Sequence, residues 1–138
     1  MSRQIGEMPT KSFKPGEFIF REGDDAKGEA FMVQDGKVEI RRHFGAEDRV
    51  LRVLGKGDLL GELALLRNAP RSANAVAAEP VTLLLIPSNR LEHLVRSNPA
   101  LAIALIKQLA TRMLEAEERA RTAEERLRAA EERLKGNA

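Results

Sequence analysis

The sequence predicts a mainly β domain followed by one long helix that forms a coiled coil. Three observations point there. Residues 11–98 hold all five phenylalanines and most of the glycine and proline. Within them, short apolar runs alternate with turn-forming residues, the pattern of a sandwich, jelly roll or small barrel. From Ile106 onward, apolar or small residues recur at alternating intervals of three and four, a heptad seam. The expected organisation is therefore a β-roll with short flanking helices over 1–98, then a C-terminal helix and coiled coil over 99–138.

Each element has its own signal. Pro15-Gly16 precedes the run Phe18-Ile19-Phe20, and Glu22-Gly23-Asp24-Asp25 follows it. Phe31 to Gln34, Asp35-Gly36 and Lys37 to Ile40 read as a hairpin, because Asp-Gly supplies the positive φ angles of a two-residue turn. Val50 to Leu54 is a further strand, ended by Gly55-Lys56-Gly57-Asp58. Ala73 to Ala78 and Val81 to Ile86 are two more, separated by Glu79-Pro80. Pro87 and Ser88 open a helix with Leu91, Leu94 and Val95 at helical spacing. Ser97-Asn98-Pro99 breaks it, and Pro99 suits the first turn of the next helix, which Gly136 closes.

Composition removes several classes of function. The 138 residues carry 23 Lys and Arg against 21 Asp and Glu, a net charge of +2, too balanced for an obvious polyanion binder. Absence of cysteine removes disulfides, thiolate metal sites and cysteine nucleophiles. The longest apolar stretch, Val81 to Ile86, falls far short of the ~20 residues of a membrane span. The first twenty residues lack the apolar core of a signal peptide. A cytoplasmic protein without a membrane partner is expected. His43 and His93 are isolated, so no metal site and no catalytic constellation is expected.

In the seam, Ile106 takes position a, and Leu109, Ala116, Ala123 and Ala130 take d. Arg112, Arg119, Arg126 and Arg133 then occupy g, while Glu117, Glu124 and Glu131 occupy e. A parallel dimer sets each g residue against the next e residue of its partner, here always of opposite sign; an antiparallel pair sets arginine against arginine. The pattern favours a parallel homodimer through 106–134. The same glutamates also precede Arg121, Arg128 and Lys135 by four residues, which equally supports a solitary charged helix.

The stretch that carries chemistry runs from Gly57 to Ala73. Gly61 lets the backbone turn tightly into a short helix beginning near Glu62-Leu63, whose unpaired N–H groups suit a phosphate. The turn Asn68-Ala69-Pro70 returns the chain so that Arg71 points toward the same place. Arginine donates two parallel charge-assisted hydrogen bonds, the geometry a phosphate accepts. A glutamate such as Glu62 does not favourably face a phosphate, so its natural partner beside one is a sugar hydroxyl. Taken singly, Arg71 reads as well as a surface salt bridge and Glu62 as a helix cap.

The ordered set Gly61-Glu62-Leu63-Ala64-Leu65 and Pro70-Arg71-Ser72-Ala73 resembles the phosphate-binding cassette of the cyclic nucleotide-binding domain family. Phe13 to Glu17, Glu22-Gly23-Asp24, Phe31 to Gly36 and Gly57-Asp58 also fall where that family places them. Its members include the sensor domains of cAMP-dependent protein kinase regulatory subunits and of the catabolite activator protein. The resemblance covers roughly residues 13–115 and implies an eight-stranded jelly-roll-like β-roll plus helices. It implies that Arg71 holds the cyclic phosphate and Glu62 the ribose 2′-hydroxyl. Backbone N–H groups near Leu63, Ala64 and Ser72 would complete the phosphate contacts, with Gly61 allowing close approach and Ala73 beside them.

The implied ligand is cAMP, with cGMP allowed, because Ser72 stands where alanine marks cAMP and threonine cGMP selectivity. Leu60 replaces the usual phenylalanine, and no Trp or Tyr is present to stack on the base. Arg112, Met113 and Ala116 are the base-covering candidates. The chain ends after the coil, where bacterial regulators continue into a helix-turn-helix, so no DNA reader is expected. The expected function is a non-enzymatic sensor that signals through its dimeric coil to an unknown downstream protein. The alternative is a scaffolding dimer whose β-roll ignores nucleotide.

Overall fold

The computed structural model describes residues 8–67 and 69–136. Eight strands form two antiparallel four-stranded sheets. The strands are β1 (Thr10–Phe13), β2 (Phe18–Phe20), β3 (Glu29–Asp35), β4 (Val38–Phe44), β5 (Glu47–Leu54), β6 (Leu59–Leu60), β7 (Asn74–Ala77) and β8 (Val81–Pro87). One sheet runs β1-β8-β3-β6 and the other β2-β7-β4-β5. Between β6 and β7 lies the single turn α1 (Leu63–Leu66); after β8 come a 3-10 turn (Ser88–Arg90), α2 (Leu91–Ser97) and α3 (Pro99–Gly136). This is the eight-stranded roll with a long C-terminal helix that the sequence predicts. Among the described residues, no helix is long and apolar enough to cross a membrane.

Alternation along the strands divides the apolar residues between two clusters. Phe31, Val33, Leu60, Val81 and Leu83 face the other sheet and meet Val38, Leu54, Ala75 and Ala77. Leu59 and Ile86 form the second cluster with Leu94 of α2 and Leu101 of α3, and Met32 and Leu65 pack against it. That second cluster explains why α3 begins where it does. Asn98 breaks the helical path (φ −141°, ψ 84°), and Pro99 restarts it so that Leu101 lands on β6 and β8.

One expectation changes here. The Asp35-Gly36 turn does not close a hairpin: β3 pairs with β6 and β8, whereas β4 pairs with β5 and β7. The turn is a corner at which the chain crosses between sheets, so Val33 and Val38 meet across the core. Gly36 is required there, because its φ is +92° and a Cβ would overlap the Pro80 carbonyl oxygen. The tight hairpin is instead β4–β5, closed through Gly45-Ala46 with Phe44 opposite Glu47.

The chain falls into two compact units, one through Leu105 and one from Ile106. In the second, the seam residues Ile106 (66 %), Met113 (59 %), Leu127 (61 %) and Leu134 (73 %) are exposed on the single chain. Its charged residues other than the half-buried Arg112 are exposed as well, with Arg121 bonding Glu118 one turn earlier at 2.8 Å.

Candidate functional site

The site is built where β6 ends. Leu60 pairs with Phe31 on β3, so the chain leaves the sheet at Gly61 with φ +70°. Any Cβ there would overlap Arg71 Nη1, so both the turn and the close approach require glycine. Glu62 follows in helical conformation at the head of α1; its side chain is wholly buried and does not cap the helix. The first turn closes on itself, with Ala64 N–H donating to the Gly61 carbonyl at 3.1 Å and Leu65 N–H to that of Glu62 at 3.0 Å. The Ala64 N–H expected to face a phosphate is thus engaged. With four residues in α1, little of a helix dipole remains, and the burden of holding an anion shifts to Arg71.

Arg71 is fixed from the opposite side. Its N–H donates to the Asp24 carbonyl at 2.9 Å and its carbonyl accepts from Gly23 N–H at 2.8 Å. The 21–24 turn is itself held by Asp24, whose carboxylate accepts from Arg21 N–H at 2.9 Å. The intended turn at Asn68-Ala69-Pro70 includes Asn68, which lies outside the described residues.

The Arg71 side chain is 8 % exposed, and its guanidinium lies over the Phe20 ring at 4.3 Å, with the Phe31 ring at 5.8 Å. Nη1 reaches the Gly61 carbonyl at 3.5 Å and Nη2 that of Ala26 at 3.4 Å, both at the long limit for a hydrogen bond. Nε has no hydrogen-bond partner. Among the described residues no carboxylate comes within salt-bridge distance of it. Burial pushes its pKa down, and the more distant Glu29, Asp24 and Asp25 offset this only in part. A cation stripped of water without a counter-charge costs several kcal/mol, on the order of what a charge-assisted pair restores. Such an arrangement is chemically suited to receive an oxyanion.

The structure brings Gly61, Glu62 and Arg71 together at one end of the β-roll and buries Ala64 and Ala73 beside them, with Leu63 and Ser72 at the surface. Arg112, Met113 and Ala116 belong to the second compact unit. The surface salt bridge offered as the ordinary role of Arg71 is not what it makes. Two parts of the site were missed: the Phe20 platform and the Ala26 carbonyl. Neither has a local sequence signal: Phe20 comes from β2 and Ala26 from the loop before β3, and only the folded chain brings them to the guanidinium.

Comparison with known proteins bears on the family and the fold. The cyclic nucleotide-binding domain model matches residues 10–98, and the chain belongs to that family. It is 40 % identical over 107 residues to the cyclic AMP receptor protein of Thermus thermophilus, covering 76 % of this chain and 49 % of the relative. The crystal structure of Thermus thermophilus catabolite activator protein superposes with a TM-score of 0.71 at 35 % identity, over 84 % of this chain and 55 % of that one. The N-terminal domain of a transcriptional regulator from Streptomyces coelicolor A3(2) superposes with a TM-score of 0.63 at 28 % identity, over 85 % of this chain and 82 % of that one.

These relatives correct one expectation. This sequence spans about half the length of the first two, and the third is one domain of a transcriptional regulator. The expectation of no DNA reader rested on where the chain stops, and that inference does not stand.

Proposed function

We propose that this protein is a cyclic nucleotide sensor whose ligand is cAMP. The observation that carries it is the buried Arg71 guanidinium, with a free Nε, two overlong bonds and, among the described residues, no carboxylate within salt-bridge distance. A cyclic phosphate supplies the missing negative charge and matches the two-donor edge of the fork. The Glu62 carboxyl, one residue past Gly61, takes the ribose 2′-hydroxyl, and the backbone around Leu63, Ser72 and Ala73 lines the rest. The Ser72 hydroxyl is exposed and adds a hydrogen bond to the phosphate. Family membership and the names of the relatives support cAMP as the ligand.

The site is a receptor rather than an enzyme. Arg71 keeps its proton at any ordinary pH and offers donors only, so it binds charge and does not shuttle protons. The ligand signal travels through packing. Leu59 and Leu60 immediately precede Gly61, and Leu59 shares a core cluster with Leu101 in the first turn of α3. A phosphate that pulls on the cassette shifts the footing of α3. Turning such a two-state element from mostly off to mostly on takes about 5.5 kcal/mol of differential ligand binding. The exposed seam from Ile106 to Leu134 then pairs as a parallel dimer, with Arg112, Arg119 and Arg126 each facing a glutamate of the partner subunit.

Two measurements test this. Mass spectrometry of denatured, freshly purified protein should release a purine cyclic nucleotide, and titration calorimetry should give one saturable cAMP site per chain. Protein that gives no heat with cAMP or cGMP contradicts the proposal. Sedimentation should show a dimer, weakened by Glu124→Arg; a monomer at all concentrations contradicts the coiled coil.

A further inference from the structure

Arg42 stands apart from the other arginines of its hairpin. It lies near the end of β4, and its guanidinium fork closes on one atom thirty positions away, the Ser72 carbonyl oxygen, with Nε at 3.1 Å and Nη2 at 2.8 Å. Arg41 is neutralised by Glu39 and Asp48, and Arg49 bonds Glu47. Among the described residues Arg42 has no carboxylate within salt-bridge distance. It also stands directly opposite Arg49 in the β4–β5 register, a like-charge pairing that costs stability. The like-charge pairing thus accompanies a cation that, among the described residues, has no carboxylate partner and sits on the peptide next to Arg71.

We infer that Arg42 is a positioning residue for the anion site: it fixes and polarises the Ser72–Ala73 peptide, the arm of the cassette that follows Arg71. The bond it grips belongs to a trans peptide, so holding the Ser72 carbonyl toward β4 turns the Ala73 N–H to the opposite side of the chain. A cation on the carbonyl strengthens the N–H of the same peptide as a donor. Arg42 also adds positive potential beside Arg71 without presenting its own donors to the ligand. The inference rests on the cyclic nucleotide proposal and extends it to a residue on another strand.

The experiment is a double-mutant cycle read by cAMP titration calorimetry on the full chain, with thermal unfolding of each variant alongside. Arg42→Met should weaken cAMP binding about tenfold, as both bonds that fix and polarise the Ser72–Ala73 peptide are lost. Arg42→Lys, which keeps the charge and a donor, should restore most of it. In an Arg71→Lys background, Arg42→Met should cost less than about twofold, because residues acting through one site are not additive. A merely structural staple predicts lowered melting temperature with unchanged affinity, or the same loss in both backgrounds; either result overturns the inference. If Arg42→Met fails to fold, Arg42→Gln keeps a donor for the carbonyl without the charge, and undiminished affinity in it overturns the inference as well. Wild-type protein that takes up no cAMP brings down the cyclic nucleotide proposal and this inference together. Wild-type binding left intact by both Arg42 variants brings down the inference alone.

Discussion

The outer face of the β4–β5 hairpin and the cassette beside α1 each centre on an arginine, and the two are treated in opposite ways. Arg41 lies partly in solvent between Glu39 and Asp48, which hold its pKa above the usual value, chiefly through the Glu39 hydrogen bond. Arg71 is buried over Phe20 with no carboxylate within salt-bridge distance among the described residues, and burial moves its pKa the other way. The first is an ordinary surface network, in which each pair contributes little. The second maintains a cation at a cost to the fold, and under the proposed function a bound anion offsets that cost. The absence of a counter-charge, and not the presence of arginine, marks the site.

The comparison breaks first at Arg71. Arg71→Met should remove about 4 kcal/mol of cAMP affinity, roughly a thousandfold, as two charge-assisted bonds are lost. Yet it should raise unliganded stability in urea by about 1 kcal/mol, since an unpartnered buried cation goes with it. Because the folded pKa of this base is depressed, the penalty exists wherever the side chain is charged. The gain should therefore stay flat across roughly pH 5–9. A large loss of unliganded stability would mean that Arg71 is a structural pillar.

Leu101→Ala should lower stability by about 3 kcal/mol, the cost of a cavity in the cluster with Leu59, Ile86 and Leu94. In urea melts, a loss under half that size would show that the α3 footing is not packed on the sheet. Gly61→Ala should cost about 2 kcal/mol of stability, through a strained positive φ and a methyl driven into the guanidinium. Calorimetry on the same variant should show weakened cAMP binding. Smallest of all, Arg41→Ala should change stability by less than about 1 kcal/mol and leave cAMP affinity unchanged. An affinity loss there would erase the distinction between the two arginines.

Much of the plan can be read from residues in order, and the gaps share a cause. The Ser97-Asn98-Pro99 break, the strands other than β1 and β6, and the Gly61–Arg71 pairing all carry local signals or match an ordered motif. β1 and β6 do not: Thr10 to Phe13 has little apolar alternation, and Leu59-Leu60 is only two residues long. The Asp35-Gly36 turn is legible as a turn, but its chemistry is the same whether its flanking strands share a sheet or face each other across the core. Phe20 beneath Arg71 and Arg42 on Ser72 are products of sheet order, which no window of sequence contains.

The most direct test is a cAMP titration of wild type and Arg71→Met side by side, with both shown to be folded. The account predicts one saturable site per chain in the wild type and no measurable heat in the variant. Equal affinity in the two proteins would mean that the buried guanidinium is not the anion receptor, and would contradict the account at its centre.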